Sequence, residues 1–235
     1  MRYLAIDRST RFAGLAVYDD GRLVVEHVWP GEPARAPEWF ADAAKLLADH
    51  DVPADSLEGF VCGLGPGSFS GIRACLAALS GLALPGAKPV YGVASAAALA
   101  LSQSSKGGAV TVVGDARRNR LWIASYQAEP EGRRVSLLGG GAPSHTASDF
   151  QLVPAGDLAR CVPDGTLVVS SDWDRLEAVL RGSFDASRLV PSAVFPSPSA
   201  LGALALADLS ACVLEPVPIY LHPAVAAAPN GPAVP

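Results

Sequence analysis

Gly65-Pro66-Gly67-Ser68-Phe69-Ser70-Gly71 joins the apolar run Gly59-Phe60-Val61-Cys62-Gly63-Leu64 to a long segment with almost no charge. An apolar run, a glycine-rich turn and then a helix is the local geometry that brings backbone N–H groups to a phosphate. The same geometry also simply turns a strand into a helix. A Walker loop ends in Gly-Lys-Ser/Thr, and this turn runs on into Gly71-Ile72-Arg73. The dinucleotide fingerprint needs a third glycine three residues after Gly67, and Ser70 stands there. The nucleophile elbow Gly-x-Ser-x-Gly is absent as well. Ser68 therefore reads as a helix N-cap, worth about 1 kcal/mol.

The helix after the turn says more. Between Glu58 and Lys88 the only charge is Arg73. Ile72, Cys75, Leu76, Leu79 and Leu82 or Ala83 form an apolar stripe suited to the helix's own sheet. Gly71, Ala74, Ala78 and Gly81 form a second stripe of very small residues, which lets another helix approach closely. A helix apolar on both sides is a buried helix, and the expected outer cover is a partner subunit. The plainer alternative is a cover within the chain by the helix expected at 37–50. There Trp39, Phe40, Ala43, Leu46 and Leu47 recur at helical spacing behind Pro37.

Upstream, Tyr3-Leu4-Ala5-Ile6 ends at Asp7. Ala13 to Tyr18 and Leu23 to Val28 flank Asp19-Asp20-Gly21-Arg22, a strong hairpin turn. Val90 to Val93 is the next strand and Ala94 to Ser102 a short helix. The first hundred residues thus read β-β-β-α-β-α-β-α, a mixed sheet with helices on its faces. The polar stretch Ser102–Gly108 marks a boundary, giving domains 1–105 and 106–222 and a frayed tail, 223–235. Beyond the boundary the pattern partly repeats. Strands are expected at Ala109–Val113, Leu121–Gln127, Arg134–Leu138 and Thr166–Ser170, and a helix at Trp173–Arg181. Two such modules imply a duplicated α/β architecture.

Composition narrows the function classes. Of 235 residues, 50% are hydrophobic and 17% charged, so most of the chain is not disordered. The net charge of −5 argues against the broad basic face of a protein that grips nucleic acid by itself. The cysteines at 62, 75, 161 and 212 form no CxxC and read as small buried hydrophobes, consistent with a cytoplasmic protein. No signal peptide core and no membrane helix are expected. His27, His50, His145 and His222 include no pair four apart, so no metal-binding helix face is expected.

One nucleotide fold remains. In sugar-kinase and actin-like ATPases, phosphates sit between two duplicated domains that each offer an Asp-led hairpin. Asp7-Arg8-Ser9-Thr10 and Asp115-Ala116-Arg117-Arg118 sit where such hairpins belong. Neither has the Asp-x-Gly that lets backbone approach phosphate, so side chains crowd the site. Asp7, Ser9, Thr10, Gly65, Gly67, Asp115, Arg117 and Arg118 are read as a vestigial nucleotide cleft.

Leu4-Ala5-Ile6-Asp7-Arg8-Ser9-Thr10, the run Gly65–Arg73, Asp115-Ala116-Arg117-Arg118 and Pro218-Ile219-Tyr220-Leu221 occur in one order. With these the chain resembles the TsaB (YeaZ) family of bacterial proteins for threonylcarbamoyladenosine modification of tRNA. The resemblance implies a duplicated actin-like ATPase (ASKHA) fold, with two β-β-β-α-β-α type domains and no catalytic residues, cofactor or metal. It implies a scaffold that activates the catalytic paralogue TsaD, with the ATPase TsaE joining and tRNA reached only through the complex. Isolated chains would self-pair through the same surface. The implied interface is Trp39, Ala43, Leu46, Leu47, Ser68, Phe69, Gly71, Arg73, Ala74, Ala78 and Gly81. The rival function is a nucleotide-dependent ATPase or transferase acting alone. The chain departs from the family at Arg8, at Gly31–Pro37 and at Asn119.

Overall fold

A computed structural model describes residues 1–30, 38–104, 107–129 and 133–222. The chain opens as three antiparallel strands, β1 (Arg2–Asp7), β2 (Phe12–Asp19) and β3 (Arg22–Pro30). Asp20 and Gly21 close the second hairpin in the left-handed region, at φ 48 and 73°, as the Asp-Asp-Gly turn predicts. Helix α1 (Trp39–Asp49) follows; Pro37 and the rest of 31–37 lie outside the described residues. Then come β4 (Gly59–Gly63), helix α2 (Phe69–Ala83), β5 (Val90–Val93) and α3 (Ser95–Gln103). Strand β4 lies parallel to β1, and β5 parallel to β4.

The second half repeats this plan. Strands β6 (Gly108–Asp115), β7 (Arg120–Ala128) and β8 (Val135–Leu137) are antiparallel in order. Strand β9 (Gln151–Pro154) also pairs β7, and helix α4 is Leu158–Cys161. Strand β10 (Leu167–Val169) is parallel to β6, as β4 is to β1. Helices α5 (Trp173–Ser183) and α6 (Pro198–Ala207) and strand β11 (Val213–Leu214) complete the chain. The sheets run β11-β5-β4-β1-β2-β3 and β10-β6-β7-β8. This is the duplicated α/β architecture expected from the strand pattern.

The expected linker residues Ser105 and Lys106 lie outside the described residues, as do Pro130–Gly132 and the tail 223–235. The chain's last third crosses the expected division at 105/106. Helix α6 packs on β1 and β2, and β11 joins the first sheet beside β5. Ser197 caps α6 through the Ala200 N–H at 3.1 Å, and the β3 carboxylate of Glu26 accepts from the Ser199 N–H at 3.1 Å. The Tyr18 hydroxyl donates to the Ser199 carbonyl at 2.6 Å, and burial pushes its pKa up to about 12.

Helices α3 and α6 pack on each other, α3 against the second sheet and α6 against the first. One core cluster therefore runs from Leu4 and Phe60 through Leu99 and Leu201 to Val112 and Tyr126. Every residue of α3 from Ser95 to Leu101 is buried, as befits a helix enclosed on all sides. A smaller core joins Val113, Leu121, Leu158, Trp173 and Leu180 on the far face of the second sheet. All four cysteines are free. Cys62 and Cys75 are buried with sulfurs 3.4 Å apart, Cys212 is buried, and Cys161 is only half-buried.

Candidate functional site

Strand β1 ends at Asp7, which is buried. The Ser9 N–H and hydroxyl both donate to Asp7 Oδ1, at 2.8 and 2.7 Å. Burial pushes the Asp7 pKa up, and the hydrogen bonds from Ser9 pull it the other way. This local turn holds the backbone of Arg8–Thr10 directly over the glycine turn. The Ser68 N–H donates to the Ser9 carbonyl at 2.6 Å. A Cβ at Gly67 would overlap the Ser9 carbonyl oxygen, and one at Gly71 the Arg8 carbonyl oxygen. The glycines thus make room for the chain's own hairpin, and carbonyl oxygens stand where a phosphate-binding turn would receive its anion. Ser68 caps α2 as its position predicts, its hydroxyl accepting from the Gly71 N–H at 3.2 Å.

Across from this turn stands the tip of the β6–β7 hairpin. Arg117, Arg118 and Asn119 all take left-handed φ, at 65, 54 and 58°, which is uncommon for side-chain-bearing residues. Asp115 holds the tip. Its Oδ1 accepts from the Arg117 N–H at 2.7 Å, and its Oδ2 pairs with Arg117 at 3.1 Å and Arg175 at 3.2 Å. Arg11 reaches from the first hairpin to Asp174 of α5 at 2.9 Å. Between the two hairpins lies a cleft of about 880 Å³. Ser9, Thr10, Gly67, Asp115 and Arg117 of the expected cleft residues line it; Asp7 is buried beneath it, and Gly65 and Arg118 are not on its wall. Among the described residues no group of three or more His, Cys, Asp or Glu could hold a metal ion.

The helical face is the second candidate. Trp39, Ala43 and Leu47 of α1 are buried, Leu46 is half-buried and Phe40 is exposed. On α2, Ile72, Cys75, Leu79 and Ala83 are buried against the sheet, as the apolar stripe predicts. The small-residue stripe divides. Ala74 and Gly81 are exposed, Ala78 is half-buried against the core, and Gly71 is buried under the Arg8 carbonyl. Helix α1 does not cover this stripe. An apolar groove of about 580 Å³ opens between the helices instead, walled by Phe40, Ala44, Leu47 and Leu82 and floored by Ile6 and Leu15. The exposed flank of α2 comprises Phe69, Ser70, Arg73, Ala74, Ala77, Ser80 and Gly81 and runs on into Leu84, which is 81% exposed. The sequence reading omitted Ala77 and Leu84, although both follow from the 3.6-residue period through Arg73. It also omitted Tyr220 as the partner of Arg73, which no local signal could have revealed.

A family model described as "TsaD: tRNA N6-adenosine threonylcarbamoyltransferase" matches residues 41–138. The tRNA threonylcarbamoyladenosine biosynthesis protein TsaB of Escherichia coli is 30% identical over 135 residues, covering 56% of this chain and 58% of that protein. An uncharacterized protein of Mycobacterium leprae is 28% identical over 230 residues, covering 89% of this chain and 62% of that protein. The matches thus span about three fifths of the length of these two relatives. The structure of YeaZ from Pseudomonas aeruginosa superposes with a TM-score of 0.74 at 22% identity, over 93% of this chain and 100% of that one. That likeness establishes the fold, the duplicated α/β architecture of YeaZ. With the quoted motifs in order and the TsaB proteins of Escherichia coli and Bacillus subtilis among its relatives, the chain belongs to the TsaB (YeaZ) family.

Proposed function

We propose that this chain is the non-catalytic subunit of a tRNA threonylcarbamoyladenosine-forming assembly, and that it pairs with the TsaD-family enzyme through α1 and α2. The observation that carries the reading is the outward face of α2. In the apolar segment Phe69–Gly86 only Gly71, Ile72, Cys75, Leu79 and Ala83 are buried, and the exposed part up to Ala83 holds a single charge, Arg73. Such a face calls for a protein cover. Its small residues Ala74, Ala77 and Gly81 admit a closely approaching helix. The names of the curated relatives supply the process, and the carbonyl-filled glycine turn argues against phosphate chemistry at that point. TsaE joins this pair, tRNA is reached only through the assembly, and isolated chains self-pair through the same face.

The test is gel filtration of the chain with its own organism's TsaD-family protein, followed by assay of threonylcarbamoyladenosine in tRNA. Co-elution, and modification only when both proteins are present, is the expected result. A TsaD-family protein that modifies tRNA unaided and never co-elutes with this chain would overturn the reading. Tight ATP·Mg binding by the chain alone, abolished by Asp7→Ala, would favour the rival of an independent ATPase.

A further inference from the structure

The Pro218–Leu221 motif lies against the first turn of α2, one residue before the last described position. The Ile219 N–H donates to the Leu64 carbonyl at 3.0 Å, and the Ile219 side chain is buried. His222 Nε2 lies 2.7 Å from the Ala116 carbonyl oxygen. These two ties hold Tyr220 between them with its side chain 44% exposed. The Tyr220 hydroxyl accepts from Arg73 Nε at 2.9 Å. The Arg73 guanidinium lies 3.7 Å from the centroid of the Phe69 ring, and the Phe69 and Tyr220 rings are 5.7 Å apart. Two residues one helical turn apart and a third 147 positions from Arg73 therefore make one unit.

An arginine held this way has given up rotamer freedom before any ligand arrives. Its two terminal nitrogens make no hydrogen bond among the described residues. They form a planar pair matched to two oxygens of one anion. Tyrosine and arginine are also the residue types that dominate interface energetics. The charge pattern defines the occupant: an apolar helix bearing one anionic group at the end that meets Arg73. In the neighbouring cleft Asp115, Asp172 and Asp174 stand among Arg8, Arg11, Arg117 and Arg175, and those aspartates are already paired with arginines. The anion that a partner helix itself carries is a carboxylate, whose two oxygens match the planar pair of Arg73.

We propose that Phe69, Arg73 and Tyr220 form a preassembled anchor for a carboxylate on the partner helix that docks along α2, with Tyr220 as a positioning residue that acts through Arg73. The proposal rests on the pairing reading above. Its test is titration calorimetry of the full chain against the same organism's TsaD-family protein, with melting curves on every variant. Arg73→Gln is expected to weaken binding about ten- to a hundredfold. Arg73→Lys should recover little of that, since an ammonium lacks the fork. Tyr220→Phe, which keeps the ring, should weaken binding about threefold. The double variant should bind no more weakly than Arg73→Gln alone, whereas an independent structural role for Tyr220 would give additive losses.

Excess inorganic phosphate should leave the wild-type affinity unchanged; competition would reassign the anchor to a phosphate ligand and overturn the carboxylate. Self-association that Arg73→Gln weakens while binding to the TsaD-family protein stays unchanged would make a second copy the occupant and likewise overturn the proposal. If wild type does not bind the TsaD-family protein, the pairing reading falls and the anchor with it. If wild type binds and Arg73→Gln and Tyr220→Phe bind equally well, only the anchor falls.

Discussion

Gly81→Leu separates the chain's own stability from its pairing. Gly81 is exposed in the last turns of α2, and a Cβ built there meets nothing within 4 Å. The substitution therefore adds no clash within the chain. It also replaces a poor helix former by a good one, a gain of about 0.8 kcal/mol in a helix interior. For a chain of this size that raises the melting temperature by about 2 °C. The cost falls on the partner. A leucine projecting from a face otherwise made of Ala74, Ala77 and Ser80 holds off a helix that packs against small residues. Overpacking of that kind costs about 1–3 kcal/mol, or about five- to 150-fold in affinity for the TsaD-family protein. Scanning calorimetry and titration calorimetry on one preparation read both numbers. A lower melting temperature would mean that Gly81 faces the chain's own core; a raised one with unchanged affinity would mean that no helix packs there. Ala78→Leu cannot serve in its place, because Ala78 is half-buried against the core.

Gly71→Ala forces its new methyl onto the Arg8 carbonyl oxygen and should cost about 2–4 kcal/mol in urea unfolding, as backbone must shift. Ser68→Ala removes the acceptor for the Gly71 N–H and should cost about 1 kcal/mol by the same assay, with the fold retained. His145 Nδ1 accepts from the Ala94 N–H at 3.3 Å, which requires the neutral ring, and burial lowers its pKa below 6.5. The unfolded chain then binds the proton more readily, so this stability is present above about pH 6.5 and lost as pH falls below it. Denaturation midpoints measured between pH 5 and 8 should show that loss, and His145→Gln should flatten it.

Elements with a clean period were legible in the letters. The β1–β3 hairpins and the β4–turn–α2 unit carry alternation, a 3.6-residue stripe or a turn with a stated mechanism. Helix α6 lacks these: Pro-Ser-Ala-Leu-Gly-Ala-Leu-Ala-Leu-Ala is apolar all round because it is enclosed by the first sheet and α3, so no stripe marks its face. Strand β11 has two residues, too few for any alternation, and β9 ends in a proline. The same limit applied to the site. Periodicity placed Gly71 on the open face, but its neighbour is the Arg8 carbonyl from a distant hairpin. Asp115 was identifiable by its position at a strand end, whereas its partner Arg175 comes from α5, beyond any local pattern.

The return of α6 and β11 to the first sheet has a consequence for synthesis on the ribosome. The face of β1 and β2 that receives α6 is made first and covered last, after the whole second sheet has left the exit tunnel. Until then the nascent N-terminal half carries Ala5, Ala16 and Tyr18 without their native lid. A translation product halted near residue 110 would thus leave that apolar face open to water, and the first sheet gets its last strand and its lid only from the end of the chain.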